Sequence, residues 1–273
     1  MSITLVITSF ERPDALAAVL ASVEQQREAP GEIVIADDGS GPATQAVIGD
    51  FLARSKIPAR LVSQAHEGFR AARLRNLAIA AARFEYLVFI DGDMLLHPQF
   101  IADHRRCARR GWFTQGVRAR ADAALSARLI RGLPRYPSPA ARGLGGLRRA
   151  YLLHSAPLSR ACRRIGNAFI AVKACNFAAW RADLVRVNGF DEDFVGWGPE
   201  DKELCARLEH AGTLRQTLCF GGIACHLHHP PVPRTALPAN QARLARTRAS
   251  RRVRAEHGLD SHLHAAGANS SIG

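Results

Sequence analysis

The chain has 273 residues, 47% of them hydrophobic and 22% charged, which suits one large or two small globular domains and excludes wholesale disorder. No apolar run approaches the roughly 18–20 residues that span a bilayer, and no basic-then-apolar signal opens the chain, so neither a membrane span nor a leader is expected. The net charge of +13 is unevenly spread: residues 1–100 carry −3, 101–165 carry +13, 166–236 carry −1 and 237–273 carry +4.

In chain order, residues 3–7 form a β-rich run, followed by the loop Thr8-Ser9-Phe10-Glu11-Arg12-Pro13. Asp14 is placed to cap a helix with Leu16, Val19, Leu20 and Val23 on its apolar face. A second strand at 33–35 runs into Asp37-Asp38-Gly39-Ser40. An alanine-rich helix over 71–82 precedes a buried strand at 86–90, which ends in Asp91-Gly92-Asp93. Strands alternating with helices predict an α/β domain with a mostly parallel sheet, and ligands of such sheets bind beyond the carboxyl ends of the strands. Residues 116–165 lose periodicity and read as an irregular basic insert with short helices. Regular pattern returns near residue 165. Residues 237–255 read as an Ala/Arg-rich helix with a frayed end beyond it, which gives one catalytic domain over 1–236 (halves 1–115 and 166–236 around the insert) and a basic tail over 237–273. The six cysteines lack C-x-x-C spacing and read as reduced, mostly buried thiols; a zinc site on Cys219 and Cys225 is poorly spaced.

Four constellations carry chemistry. Asp91 and Asp93, one glycine apart after a strand, can share a hard divalent cation with phosphate oxygens, although such a triplet is also a common turn. Asp37 and Asp38, one βαβ repeat earlier, can accept from a base N–H or a ribose hydroxyl, or serve as a plain Asx turn. Trp197, held between Gly196 and Gly198, directly precedes Pro199-Glu200-Asp201 at a helix start. An indole beside a carboxylate suits a sugar: the ring packs on its apolar face and the carboxylate takes a hydroxyl proton. Cys225-His226-Leu227-His228-His229 offers imidazoles to a metal, with His228 read as a surface residue.

Together the segments ITSFERP, ADDGS, EGFRAARLRNLAI and FIDGDM resemble the nucleotide-binding half of glycosyltransferase family 2. The block CNFAAWRADLVRVNGFDEDFVGWGPEDKELCARL resembles the galactosyltransferase-type module of chondroitin-polymerase-like and β-1,4-galactosyltransferase-like enzymes. The resemblance covers roughly residues 2–116 and 166–232 and implies a GT-A fold. It puts Thr8, Arg12, Asp37 and Asp38 in a nucleoside pocket, for uridine, with Arg75 beside the nucleoside or diphosphate. Asp91 and Asp93 fill the metal-binding DxD positions, Asp93 as the direct ligand, and His226 completes the Mn2+ or Mg2+ site with His229 as the fallback. Asp201 is the implied catalytic base and Glu200 a holder of sugar hydroxyls, while Trp197, Asn176 and His229 line the donor or acceptor sugar. Glu11 departs from the family's frequent Asn.

The implied reaction is inverting transfer of a hexose or N-acetylhexosamine from a UDP-sugar to a glycan or lipid-linked acceptor. Bacterial surface polysaccharide or lipopolysaccharide assembly, at the cytoplasmic face of the cell membrane, is the expected setting. A nucleotidyltransferase would want a Gly-rich phosphate loop where SFERP stands. A nucleic-acid binder would want more aromatics than Trp112, Phe113, Tyr136 and Tyr151 in the basic segment, so no nucleic acid is expected.

Overall fold

The computed structural model describes residues 1–132, 136–145, 149–150, 152–161, 163 and 173–263. Its first half is a parallel sheet, β1 (Ile3–Ser9), β2 (Glu32–Asp37), β3 (Ala59–Ser63) and β4 (Tyr86–Asp91), connected by α1 (Pro13–Glu24), α2 (Pro42–Arg54) and α3 (Ala71–Ala81). Runs such as Ile33-Val34-Ile35-Ala36 are buried on both faces, as a helix-covered parallel sheet requires. The second half completes the same sheet. β8 (Asn176–Trp180) lies antiparallel to β4 and to β6 (Trp112–Gly116), and β9 (Leu214–Leu218) runs parallel to β6. The order is β3-β2-β1-β4-β8-β6-β9.

Leu16, Val19, Leu20, Ile48 and Phe51 cover one face of the sheet. Leu74 and Ile79 of α3, Leu184 of α7 (Arg181–Arg186), and Leu204 and Leu208 of α8 (Glu200–His210) cover the other. A three-stranded sheet sits beside the main one, with β10 (Ala224–His226) between β5 (Met94–Leu96) and β7 (Arg118–Arg120). After β5, α4 (Phe100–Cys107) leads back into the main sheet.

Local expectations are corrected in three places. α1 begins at Pro13, so Asp14 sits inside the first turn and does not cap it; the fixed φ of proline starts the helix without a side-chain cap. The insert is more regular than its composition suggests. It contributes β7, α5 (Ala123–Arg131), capped by Asp122 accepting from Leu125 N at 2.8 Å, and α6 (Ala156–Ala161). Leu125, Leu129 and Leu152 join Ile223, Cys225 and Leu227 in a third apolar cluster. α9 (Leu237–Ser250) stops before residue 255 because Arg251 adopts φ +52 and turns the chain back, so that Ala255 N donates to Val187 O at 3.1 Å. The expected resumption of pattern at 165 and the frayed end beyond 263 lie outside the described residues.

Candidate active site

Register decides which side chains meet. β1 pairs Ser9 with Asp37 and Thr8 with Asp91, so both acidic clusters reach one sheet edge. Thr8 Oγ1 donates to Asp91 Oδ1 at 3.0 Å. Asp37 is buried and spends its carboxylate on Ser40 N, Ser40 Oγ and Gln45 Nε2, so it shapes the loop. Asp38 accepts from Gln64 Nε2 and meets His66 Nδ1 at 3.0 Å; the His66 ring stacks on exposed Phe10 with centroids 4.2 Å apart. Glu11 takes a left-handed φ of +46 and accepts from Gly41 N at 2.6 Å, tying this loop to the start of α2.

Asp93 is the centre of a second group. Its carboxylate lies 3.6 Å from His226 Nε2 and 3.7 Å from His229 Nε2, and Asp93, His226 and His229 offer ligand atoms all within 4.8 Å of one another. Leu227 N donates to Asp93 O at 2.9 Å, which anchors the end of β10 against the turn after β4. Burial, then the charge of Asp91, raises the Asp93 carboxyl to about 7. Burial, then Arg118, pushes His226 down to about 3 and leaves a neutral imidazole with a lone pair. Asp93 Oδ1 is buried without a hydrogen-bond partner. One carboxylate with an orphaned oxygen and two imidazoles fit a divalent cation. Two expectations change here. Asp91 is outside this group, held by Thr8 and Arg75. Arg12 is drawn from the nucleoside pocket to Asp93, 2.8 Å from Oδ2, and also donates to His228 O. His228 itself is exposed.

Arg75 links the halves. Its guanidinium, 5% exposed, donates to Glu200 Oε1 at 2.9 Å, lies 3.4 Å from Asp91 Oδ1, and stands over the Phe190 ring. Burial, then Asp201, raises Glu200 to about 7. Burial raises Asp201 as well, against Arg75 and Lys173. Asp201 Oδ1 accepts from Lys202 N at 2.7 Å and Oδ2 from Ala174 N at 3.3 Å. Trp197 is half-buried with the Arg234 guanidinium 4.7 Å from its ring centre. Asn176 departs from expectation. Its Nδ2 donates to Val117 O and Gly222 O at 2.8 Å, and Oδ1 meets His104 Nε2 at 3.1 Å. That carboxamide stitches β8 to its surroundings, with both donors spent and the residue 1% exposed, so it does not face a sugar.

Several residues escaped the sequence reading. Phe10 and His66 meet only through the fold. Arg118, its Nη1 2.6 Å from Cys175 Sγ, and Lys173, lowered by burial and then by Arg118, stand among the site's carboxylates. No periodicity singles out one cation in a basic stretch. Cys225 is buried with its thiol pushed up to about 12 and takes no part in the histidine group, which removes the weak zinc alternative.

A family model described as glycosyl transferase family 2 matches residues 4–124, and one described as the N-terminal domain of galactosyltransferase matches 164–230. Residues 4–124 thus carry a glycosyltransferase family 2 domain, followed by a galactosyltransferase-type module. The two matched segments carry the Asp91/Asp93 edge and the Trp197–Asp201 loop respectively, the pieces that Arg75 joins. Among family relatives, the chain is 28% identical to hyaluronan synthase of Pasteurella multocida, over 85% of this chain and 25% of that protein. It is 30% identical to validoxylamine A glucosyltransferase of Streptomyces hygroscopicus subsp. limoneus, over 77% of this chain and 48% of that protein. The chain thus spans about half or less of these relatives. A crystal structure of GalNAc-T7 with UDP, GalNAc and Mn2+ superposes with a TM-score of 0.66 at 14% identity, over 90% of this chain and 48% of that one, and shares the GT-A fold.

Proposed function

We propose that the chain is an inverting, metal-dependent glycosyltransferase that moves a hexose or N-acetylhexosamine from a UDP-sugar to a glycan or lipid-linked acceptor in bacterial surface polysaccharide or lipopolysaccharide assembly. The observation that carries this reading is the Arg75 bridge. One buried guanidinium joins Asp91, at the strand edge where a nucleotide would lie, to Glu200, next to Asp201, the carboxylate proposed as the base. In the proposed step Asp201 takes the acceptor hydroxyl proton, that oxygen bonds the anomeric carbon, and the bond to the diphosphate breaks on the opposite face. Arg75 keeps Glu200 and Asp91 in place, and Trp197 packs against a sugar face. Asp93, His226 and His229 would hold the cation, Mn2+ in preference to Mg2+ because imidazoles suit a transition metal, and when bound it supplies charge neutralisation to the leaving diphosphate. UDP as the nucleotide rests on the resemblance and on the UDP held by GalNAc-T7.

The experiment is a thermal-shift screen of UDP-sugars with and without Mn2+, followed by transfer assays on Asp201→Asn. The variant should keep the nucleotide-induced shift and lose transfer by about 10²-fold or more. Near-wild-type turnover by Asp201→Asn would remove the base assignment. For the acceptor side, no described helix is long and apolar enough to cross a membrane. The exposed Arg128, Arg131, Arg142, Arg149 and Arg160 of the basic segment support contact with an anionic membrane surface or lipid-linked acceptor.

A further inference from the structure

The region after residue 230 lies outside both matched modules, and its basic residues at first suggest a free tail. Its contacts say otherwise. Each acidic residue of Asp191-Glu192-Asp193, upstream of Trp197, meets a partner from it: Asp191 pairs with Arg252, Glu192 with His262 at 2.7 Å, and Asp193 with Arg243 at 3.3 Å and His257 at 3.0 Å. Thr247 Oγ1 donates to Glu203 of α8 at 2.9 Å. Nearest the site stands Asn240, on α9 and 2% exposed. Its Nδ2 is aimed at the carbonyls of the Trp197 loop: Val195 O at 3.1 Å, Trp197 O at 3.4 Å and Gly196 O at 3.5 Å. The glycines flanking Trp197 make this approach possible. A Cβ on Gly198 would lie 2.5 Å from Asn240 Nδ2, and one on Gly196, whose φ is +77, would lie 2.5 Å from Ala236 Cβ. On the far side the same loop is held by Gly196 N donating to Phe69 O at 2.8 Å.

We infer that Asn240 is a positioning residue for glycosyl transfer: its carboxamide clamps the Trp197 loop to α9 and thereby sets where Trp197 and Asp201 stand, which makes the segment from Arg234 onward part of the acceptor side of the site. The inference rests on the proposed transferase reading for its catalytic consequence, and on geometry alone for the clamp. The loop runs straight into Pro199 and α8, so the carbonyls that Asn240 holds lie three to five residues before Glu200 and four to six before Asp201. The three carbonyls are part-buried and the donor is buried, so loss of the carboxamide N–H frees the loop to turn its carbonyls to water. A misplacement of about 1 Å in a positioning element can cost on the order of 10²-fold in rate.

The test compares full-length wild type, Asn240→Asp, which keeps the shape but removes the donor, and Gly198→Ala, which leaves Asn240 intact but denies its approach. Three readouts are taken: hydrogen exchange of the peptide spanning 191–201, UDP affinity with Mn2+ by calorimetry, and the ratio of transfer to donor hydrolysis with the UDP-sugar chosen by the thermal-shift screen. Both variants should exchange the loop about tenfold faster, bind UDP within about twofold of wild type, and lose transfer by about tenfold or more while hydrolysis falls less. A merely structural role would lower transfer and hydrolysis together. Unchanged loop exchange in Asn240→Asp, or an unchanged transfer-to-hydrolysis ratio, overturns the inference. If wild type transfers no sugar, the transferase reading fails, and the exchange measurement still decides whether the clamp exists. If one variant fails to fold, the other carries the comparison.

Discussion

Asp201 and Glu200 are neighbours with different burdens. Glu200 is tied to Arg75, whereas Asp201 accepts only backbone N–H groups and keeps the freedom a base needs. Burial lifts the Asp201 carboxyl, and Lys173 is among the cations that restrain the rise. A base works only when ionised, so the rate should fall on the acid side of a limb that lies above the ordinary carboxylate range. Lys173→Met removes one restraining charge. Its acid limb in kcat/KM should therefore move to higher pH than that of wild type, with activity converging on the alkaline side. A limb that stays fixed or moves down would show that Lys173 does not sense Asp201.

The join between α8 and α9 shows how elements carry the site. Glu203, fully buried, accepts from Arg207 Nε at 2.9 Å and Nη2 at 2.7 Å, from Thr247 Oγ1 at 2.9 Å and from Arg252 at 3.0 Å. Burial alone would raise its carboxyl, and Arg207 overcomes that and holds it below the ordinary value. Arg207 is equally buried and also donates to Val187 O. Removing Arg207 leaves buried Glu203 to share the partly exposed Arg252 with Asp191, so Arg207→Met should cost on the order of 3 kcal/mol in urea denaturation. The double variant Glu203→Leu with Arg207→Met should recover much of that loss, because apolar replacement of both partners removes the buried charge. A cost for Arg207→Met near zero would mean that Arg252 or water compensates the Glu203 charge without Arg207.

At the scale of the whole molecule, the +13 charge divides into two kinds of cation. Tail cations such as Arg243 and Arg252 are committed to Asp193, Asp191 and Glu203, whereas arginines of the insert including Arg131 and Arg149 stay exposed. Membrane attraction is therefore expected from exposed arginines and not from the paired Arg243 and Arg252. Co-sedimentation with phosphatidylglycerol vesicles should fall steeply when Arg128, Arg131 and Arg142 are replaced by Gln, and weaken with salt, while Arg243→Gln, at a cation already paired with Asp193, changes little. Equal binding to neutral vesicles would assign the surface to something other than anionic lipid.

The α/β class, the three strands, two of them ending in acidic clusters, and the helix after Trp197 were legible because apolar runs and turn residues are local signals. β3 and β8 were not read: β3 is a half-buried edge strand, and β8 draws its pairing from strands far away in the chain. The same boundary runs through the site. The residue types of Asp93, His226, Trp197 and Asp201 and their places in motifs are determined by sequence alone. Whether Asp91 turns to Arg75 or toward the histidines, whether Arg12 faces a nucleoside pocket or Asp93, and whether Asn176 points inward or outward depend on partners up to 216 residues away. Only tertiary structure decided these, because a side chain's hydrogen-bonding capacity is spent on whatever the fold brings within reach, and the chain's own neighbours do not say what that will be.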